Sequence, residues 1–182
     1  MTSVLQRYQS VPILSPRSGH WDSFSVFNPG AVAVDGRVHM LYRAVSDRRK
    51  YISRLGYAVS RDGVTFERVV DEPVFGPRHD WDKGGVEDAR IVPDPADDGW
   101  LVTYAAPNKI PGPVYEEWDF FRRALEDPTI DRPGQDVMGP SYTGLLRTRD
   151  FQAFDSLRFV TPEDTDDRDG ILFPEKINGR YA

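Results

Sequence analysis

Three times along the chain an apolar, strand-like segment opens on polar residues and runs towards a glycine turn, and this repetition restricts the fold more than any other feature. The openings are Asn28-Pro-Gly-Ala-Val, Glu87-Asp-Ala-Arg-Ile and Pro174-Glu-Lys-Ile. Beyond the turns come Val38-His-Met-Leu-Tyr42, Trp100-Leu-Val-Thr-Tyr104 and Arg180-Tyr181. A second motif lies between the openings: Gly56-Tyr-Ala-Val-Ser-Arg-Asp62 with Phe66, echoed by Gly144-Leu-Leu-Arg-Thr-Arg-Asp150 with Phe154. Recurring four-strand units of roughly 40–50 residues or somewhat more are the signature of a β-propeller, whose blades bury their faces against one another.

The elements fit that reading. Gly30 to Val34, Val38 to Tyr42, Leu55 to Ser60, Arg90 to Val92 and Trp100 to Tyr104 are short β-branched and aromatic runs bounded by Gly, Asp and Pro. Asp35-Gly36 is a hairpin signal, because the tight turn needs positive φ, and Asp98-Gly99 holds the corresponding place one unit later. From about Lys109 to Pro140 an insertion breaks the rhythm. It contains a short predicted helix, Trp118 to Leu125, and is expected to act as a lid or as a homo-oligomer contact. The acidic stretch Pro162 to Asp169 reads as a solvated loop. The whole of residues 1–182 is expected to be one partial propeller domain of two to three blades, with further blades lacking after Ala182.

Composition removes several classes of function. The net charge of −6 gives no positive field for nucleic acid or an anionic membrane, and the Arg48-Arg-Lys50 run is too short to create one. The absence of cysteine excludes disulfides and thiolate chemistry, and no apolar run reaches the roughly 20 residues of a membrane span. A cytoplasmic protein is expected. His20, His39 and His79 fit no metal-ligand spacing, so no metal site is predicted. Trp21, Trp81 and Trp100 offer ring faces that suit either sugar stacking or core packing.

In a propeller the first strand of each blade lines the central channel, so polar residues at those strand starts converge. That places Asn28, Glu87, Asp88, Arg90, Glu175 and Lys176 together, with Arg43 at the mouth. A structural network of ion pairs would use the same residue types. Cleavage of a glycoside needs a proton on the departing oxygen and a nucleophile at the anomeric carbon, and carboxylates commonly supply both. Where phosphate is the nucleophile, cationic groups replace the second carboxylate, and this set mixes acid with Arg and Lys.

Four motifs carry a family resemblance: Asn28-Pro-Gly-Ala with Leu41-Tyr-Arg43, Gly56-Tyr-Ala-Val-Ser-Arg-Asp-Gly63, Gly85-Val-Glu-Asp-Ala-Arg90, and Leu172-Phe-Pro-Glu-Lys-Ile177. In this order the chain resembles glycoside hydrolase family 130, the mannosyl phosphorylases. The resemblance implies an all-β, five-bladed propeller and inverting phosphorolysis of β-mannosides to mannose 1-phosphate. It implies no cofactor beyond phosphate as co-substrate, and Asp88 as general acid acting through a sugar hydroxyl. Asn28, Arg43, Glu87 and Glu175 would bind the sugar, Lys176 would lie near sugar and phosphate, and Arg90 would contact phosphate; the repeat alone adds Arg147 as a further phosphate contact. Ala89 stands where the family has proline. A β-mannoside hydrolase of the same family, and an inactive fragment or non-catalytic sugar-binding partial propeller, are the competing readings.

Overall fold

A computed structural model describes residues 7–47, 51–111, 136–162 and 165–182. Among these residues, eight strands form two four-stranded antiparallel sheets. The first contains β1 (Ser25–Val34), β2 (Arg37–Val45), β3 (Arg54–Ser60) and β4 (Glu67–Arg68), hydrogen-bonded in that order. The second contains β5 (Glu87–Pro93), β6 (Trp100–Pro111), β7 (Asp136–Thr148) and β8 (Asp155–Phe159), again in chain order. Each sheet is an up-and-down meander, as in a propeller blade, and β1 lies against β5 so that the two innermost strands are neighbours.

Alternation along the strands explains the packing. Successive side chains point to opposite faces, and in β2 Leu41 enters the core shared by the two sheets while Met40, Tyr42 and Ala44 enter a second core. The shared core holds Leu55, Tyr57 and Phe75 from the first unit against Val86, Ala89, Val102, Tyr104 and Leu146 from the second. Trp21 and Leu14 of the N-terminal segment cover the other face of the first sheet.

The repeat is structural down to single residues. Tyr42 of β2 faces Gly56 of β3, and Tyr104 of β6 faces Gly144 of β7. A β-carbon at either glycine would lie 2.2 Å from the tyrosine ring, so only glycine admits the ring there. The turns after β3 and β7 also match. Ser60 Oγ accepts from the amides of Asp62 and Gly63, as Thr148 Oγ1 does from Asp150 and Phe151. Asp62 Oδ1 then takes Val64 and Thr65, and Asp150 Oδ1 takes Gln152 and Ala153.

The five expected strands lie inside the observed ones, and Asp35-Gly36 makes the two-residue turn with φ of 50° and 69°. Asp98-Gly99 does not. It belongs to a longer loop that closes with Asp94 N donating to Gly99 O at 2.9 Å. The third unit differs as well. Pro174 to Ile177 was expected to open a strand, but the segment forms only an isolated bridge between Ile177 and Arg180 across Asn178-Gly179, whose φ values are 51° and 75°. This short hairpin lies on the second sheet through Thr103 Oγ1 donating to Gly170 O and Tyr181 OH donating to Asp94. Its backbone bonds close within the hairpin, Ile177 N to Arg180 O and Phe173 N to Ala182 O, so no ladder to either sheet forms among the described residues. The ends of the expected insertion prolong the β6–β7 hairpin, with Lys109 opposite Met138. Its predicted helix and the Arg48–Lys50 run lie outside the described residues.

Candidate active site

The site forms where both innermost strands break register. Pairing of β1 with β2 shifts between Phe27 and Gly30, and pairing of β5 with β6 shifts between Glu87 and Arg90. At each bulge one residue takes a left-handed backbone, Asn28 with φ 43° and Asp88 with φ 54°. Bulges re-aim side chains, and these two aim at one another: Asn28 Nδ2 donates to Asp88 Oδ1 at 3.0 Å.

The approach depends on Gly30. A β-carbon there would stand 2.3 Å from the Ala89 carbonyl oxygen, so β1 and β5 come this close only because position 30 has no side chain. The buried Ala89 occupies the position that the resemblance assigns to proline, and in the first unit the equivalent residue is Pro29.

Arg43 of β2 joins the two units. It is 7% exposed, and its guanidinium lies 4.5 Å over the Phe27 ring. Nη1 donates to Asp88 Oδ1 at 3.1 Å, Nη2 donates to Glu87 Oε1 at 2.5 Å, and Nε donates to Ser53 Oγ at 2.9 Å. Ser53 Oγ also donates to Glu87 Oε1. A buried cation needs this degree of pairing. Burial pushes the Glu87 carboxyl above its ordinary range, with the Asp88 charge acting in the same direction, while Arg43 and Ser53 pull it back.

The carboxylates therefore differ in position. Glu87 faces the Arg43–Ser53 pair, whereas Asp88 lines a cleft of about 570 Å³ with Asn28, Arg90, Asp169 and Ile171. The described residues engage the Asp88 carboxylate through Oδ1 only. Arg90 Nη1 donates to the Asp88 carbonyl at 2.8 Å, and its Nη2 is 3.6 Å from Asp169. It thus fixes the strained backbone while lining the cleft.

The residues expected from the sequence divide into two groups. Asn28, Arg43, Glu87, Asp88 and Arg90 come together. Lys176 does not join them: its ammonium lies over the Tyr181 ring at 4.7 Å, and Tyr181 is bonded to Asp94. Asp94 follows the far end of β5, about 20 Å from Asp88 at ~3.3 Å per residue. Arg147 is at that same far end, with Nε 2.8 Å from Asp94 Oδ2. Glu175 is exposed beside Lys176. Two participants had no signal strong enough to find from the sequence: Ser53, a lone serine before a strand, and Asp169, within an acidic run.

Two blade-like sheets with a carboxylate cleft at their innermost strands define a propeller-type fold with a candidate acid site. Residues 7–111 match the family described as beta-1,4-mannooligosaccharide phosphorylase, and the chain belongs to this family, glycoside hydrolase family 130. It is 33% identical, over 98% of its length, to a 1,2-beta-oligomannan phosphorylase of Thermoanaerobacter sp. (strain X514), of which it covers 52%. A beta-1,2-mannobiose phosphorylase of the same organism is 29% identical over 98% of the chain and 53% of that relative. The chain thus spans about half the length of these relatives. Among solved structures, a glycosyl hydrolase from Bacteroides ovatus superimposes with a TM-score of 0.54 at 26% identity, over 80% of this chain and 38% of that one. The beta-1,2-mannobiose phosphorylase from Listeria innocua shares the fold, with a TM-score of 0.58 at 18% identity over 86% and 49% of the two chains.

Proposed function

We propose that this chain supplies the acid-bearing part of a five-bladed propeller that cleaves β-mannosides by inverting phosphorolysis. Asp88 acts as the proton donor. The observation that supports this most is the meeting of Asn28 and Arg43, both from the first blade, on a single oxygen of Asp88 in the second. A carboxyl held through Oδ1 presents its other oxygen to the cleft, where a proton can pass to the departing oxygen through a sugar hydroxyl. Phosphate then bonds to the anomeric carbon from the opposite face as the glycosidic bond breaks, giving mannose 1-phosphate. Arg90 is the cation best placed in the cleft to steady the anion. Glu87 acts as a positioning residue through Arg43 rather than as a sugar ligand. The curated relatives act on β-1,2-linked mannosides, and this linkage is the first to test.

The chain is incubated with β-1,2- and β-1,4-mannobiose with and without phosphate, and mannose 1-phosphate is measured. Phosphate-dependent product that falls roughly 10²–10⁴-fold in Asp88→Asn supports the reading. Mannose released equally without phosphate identifies a hydrolase instead, and sugar binding without turnover identifies a binding module.

A further inference from the structure

A second cleft, of about 400 Å³, opens where β3 meets the segment leading into β5, lined by Arg54, Arg78, His79 and Lys83 with Asp80 as its one acidic member. We propose that it binds a phosphate group at a place distinct from the Asp88 cleft. The two share none of their lining residues.

The basic side chains are held before any ligand arrives. Arg54 opens β3, and its stem passes so close to Gly76 that a β-carbon there would stand 3.2 Å from Arg54 Cγ. The Arg78 guanidinium lies 4.4 Å over the Phe75 ring. His79 stacks on Trp81 at 5.1 Å with planes 6° apart, and its Nε2 is 3.1 Å from Ser156 Oγ of β8. Pro73 and Pro77, also in the lining, limit the backbone between them. Asp80 is matched by Lys83 at 2.8 Å, which leaves the two arginine charges uncompensated by any acidic group of the lining. Guanidinium forks fit phosphate oxygens, and pre-placed cations lose little side-chain entropy on binding. In a chain of net charge −6 such a concentration of positive charge is local rather than general.

Position gives the cleft a consequence. Ile52 and Arg54 line it, and Ser53 between them donates to Glu87 and accepts from Arg43. An anion seated on Arg54 therefore bears on the residue that steadies the carboxylate pair. Inorganic phosphate and a sugar phosphate share the required chemistry.

His79 is one of only three histidines, so its ring protons report on this cleft directly and are assigned with His79→Gln. Inorganic phosphate and glucose 1-phosphate are titrated separately, with sodium chloride at matched ionic strength as control. The expected result is a saturable shift of the His79 resonances, unchanged in Arg90→Gln. Arg54→Gln and Arg78→Gln should each weaken it roughly fivefold or more. Tighter binding of glucose 1-phosphate assigns the site to a sugar phosphate, and tighter binding of phosphate assigns it to the free anion. Shifts that chloride reproduces, or that persist in both arginine variants, overturn the proposal. Should either variant lose the wild-type circular dichroism spectrum, the exposed Lys83→Gln decides: a titration weakened at least twofold supports the site, and an unaltered one rejects it.

Discussion

Asn28 and Asp88 hold the same place in successive blades, at the bulge of the innermost strand, and they are bonded to each other at 3.0 Å. Each has left-handed backbone, which costs a non-glycine residue about 1–2 kcal/mol. The strain supports the one geometry in which side chains from both blades point into a common cleft. Asn28→Gly should lose the bond to Asp88 but relieve the backbone, whereas Asn28→Ala should lose the bond and keep the strain. Chemical denaturation should find the alanine variant less stable than the glycine variant by about 1 kcal/mol. Both should turn over β-mannobiose roughly tenfold more slowly or worse, since a hydrogen bond to a charged group is worth about 1.5–3 kcal/mol. Equal stability of the two variants would contradict the strain.

Gly30 sets the distance between the blades. Its added β-carbon would meet the backbone carbonyl of Ala89, which cannot rotate aside, so Gly30→Ala must push β1 from β5. The expected cost is about 1–3 kcal/mol by urea melt. The resonance of the Asn28 side-chain amide should also move towards its solvent-exposed value. Gly36→Ala is a poor control because of its φ of 69°, so Ala31→Ser on the same strand serves. An unaltered Asn28 resonance in Gly30→Ala would show that the close approach is not what brings the pair together.

Much of this was legible in the sequence because the repeat was. Strands with clear alternation, such as Val38 to Tyr42, need only local pattern, and aligning the openings placed Asn28 beside Asp88 although sixty positions separate them. Lys176 was misplaced by the same reasoning: a strand opening becomes a strand only when a sheet edge receives it, and the third unit lies instead as a hairpin on Thr103 and Asp94. Ser53 had no pattern at all, since its role comes from a parallel bridge to Gly85 across the blade junction. The Trp21-Asp22 and Trp81-Asp82 pairs are a repeat signal whose meaning only the structure reveals. Each tryptophan stacks on its blade's tyrosine, at 6.0 and 6.2 Å, and each aspartate is fully buried.

The equivalent tyrosines nevertheless differ in one partner. In the first blade Arg68 donates to both Tyr42 OH and Asp22. Register places Ser156 at the corresponding point of the second blade, and there Tyr104 OH and Asp82 Oδ2 have no partner among the described residues. Burial pushes both groups up, the Tyr104 phenol and the Asp82 carboxyl, and the Asp82 charge raises the phenol further. Tyr42→Phe should therefore cost about 1 kcal/mol by leaving Arg68 short of an acceptor, while Tyr104→Phe should be neutral or stabilising because it removes an unpaired buried hydroxyl. Urea melts of the two variants check this, and equal losses would show that Tyr104 has a partner after all.

The opposite ends of the blades are joined through His39, whose Nδ1 is 2.6 Å from Tyr57 OH and whose ring is 5.1 Å from Phe151 of the second unit. Burial lowers the His39 pKa from 6.5, Arg37 lowers it further, and Asp35 acts weakly against them. A base with a depressed folded-state pKa contributes stability that is present above the unfolded value and lost as pH falls through the folded one. The chain should thus lose stability below about pH 6.5. Glu87 acts in the reverse sense over higher carboxylate pH, because its raised pKa favours the protonated folded form, so a single pH profile mixes the two. A difference between proteins separates them. His39→Phe keeps the ring stack and loses the bond to Tyr57, so its melting temperature should fall below wild type at pH 7.5. The gap should narrow at pH 5.5, below the unfolded value, where wild type is losing the His39 contribution and Glu87 cancels in the comparison. A gap that stays constant or widens on acidification would mean that His39 is not held neutral between the blades.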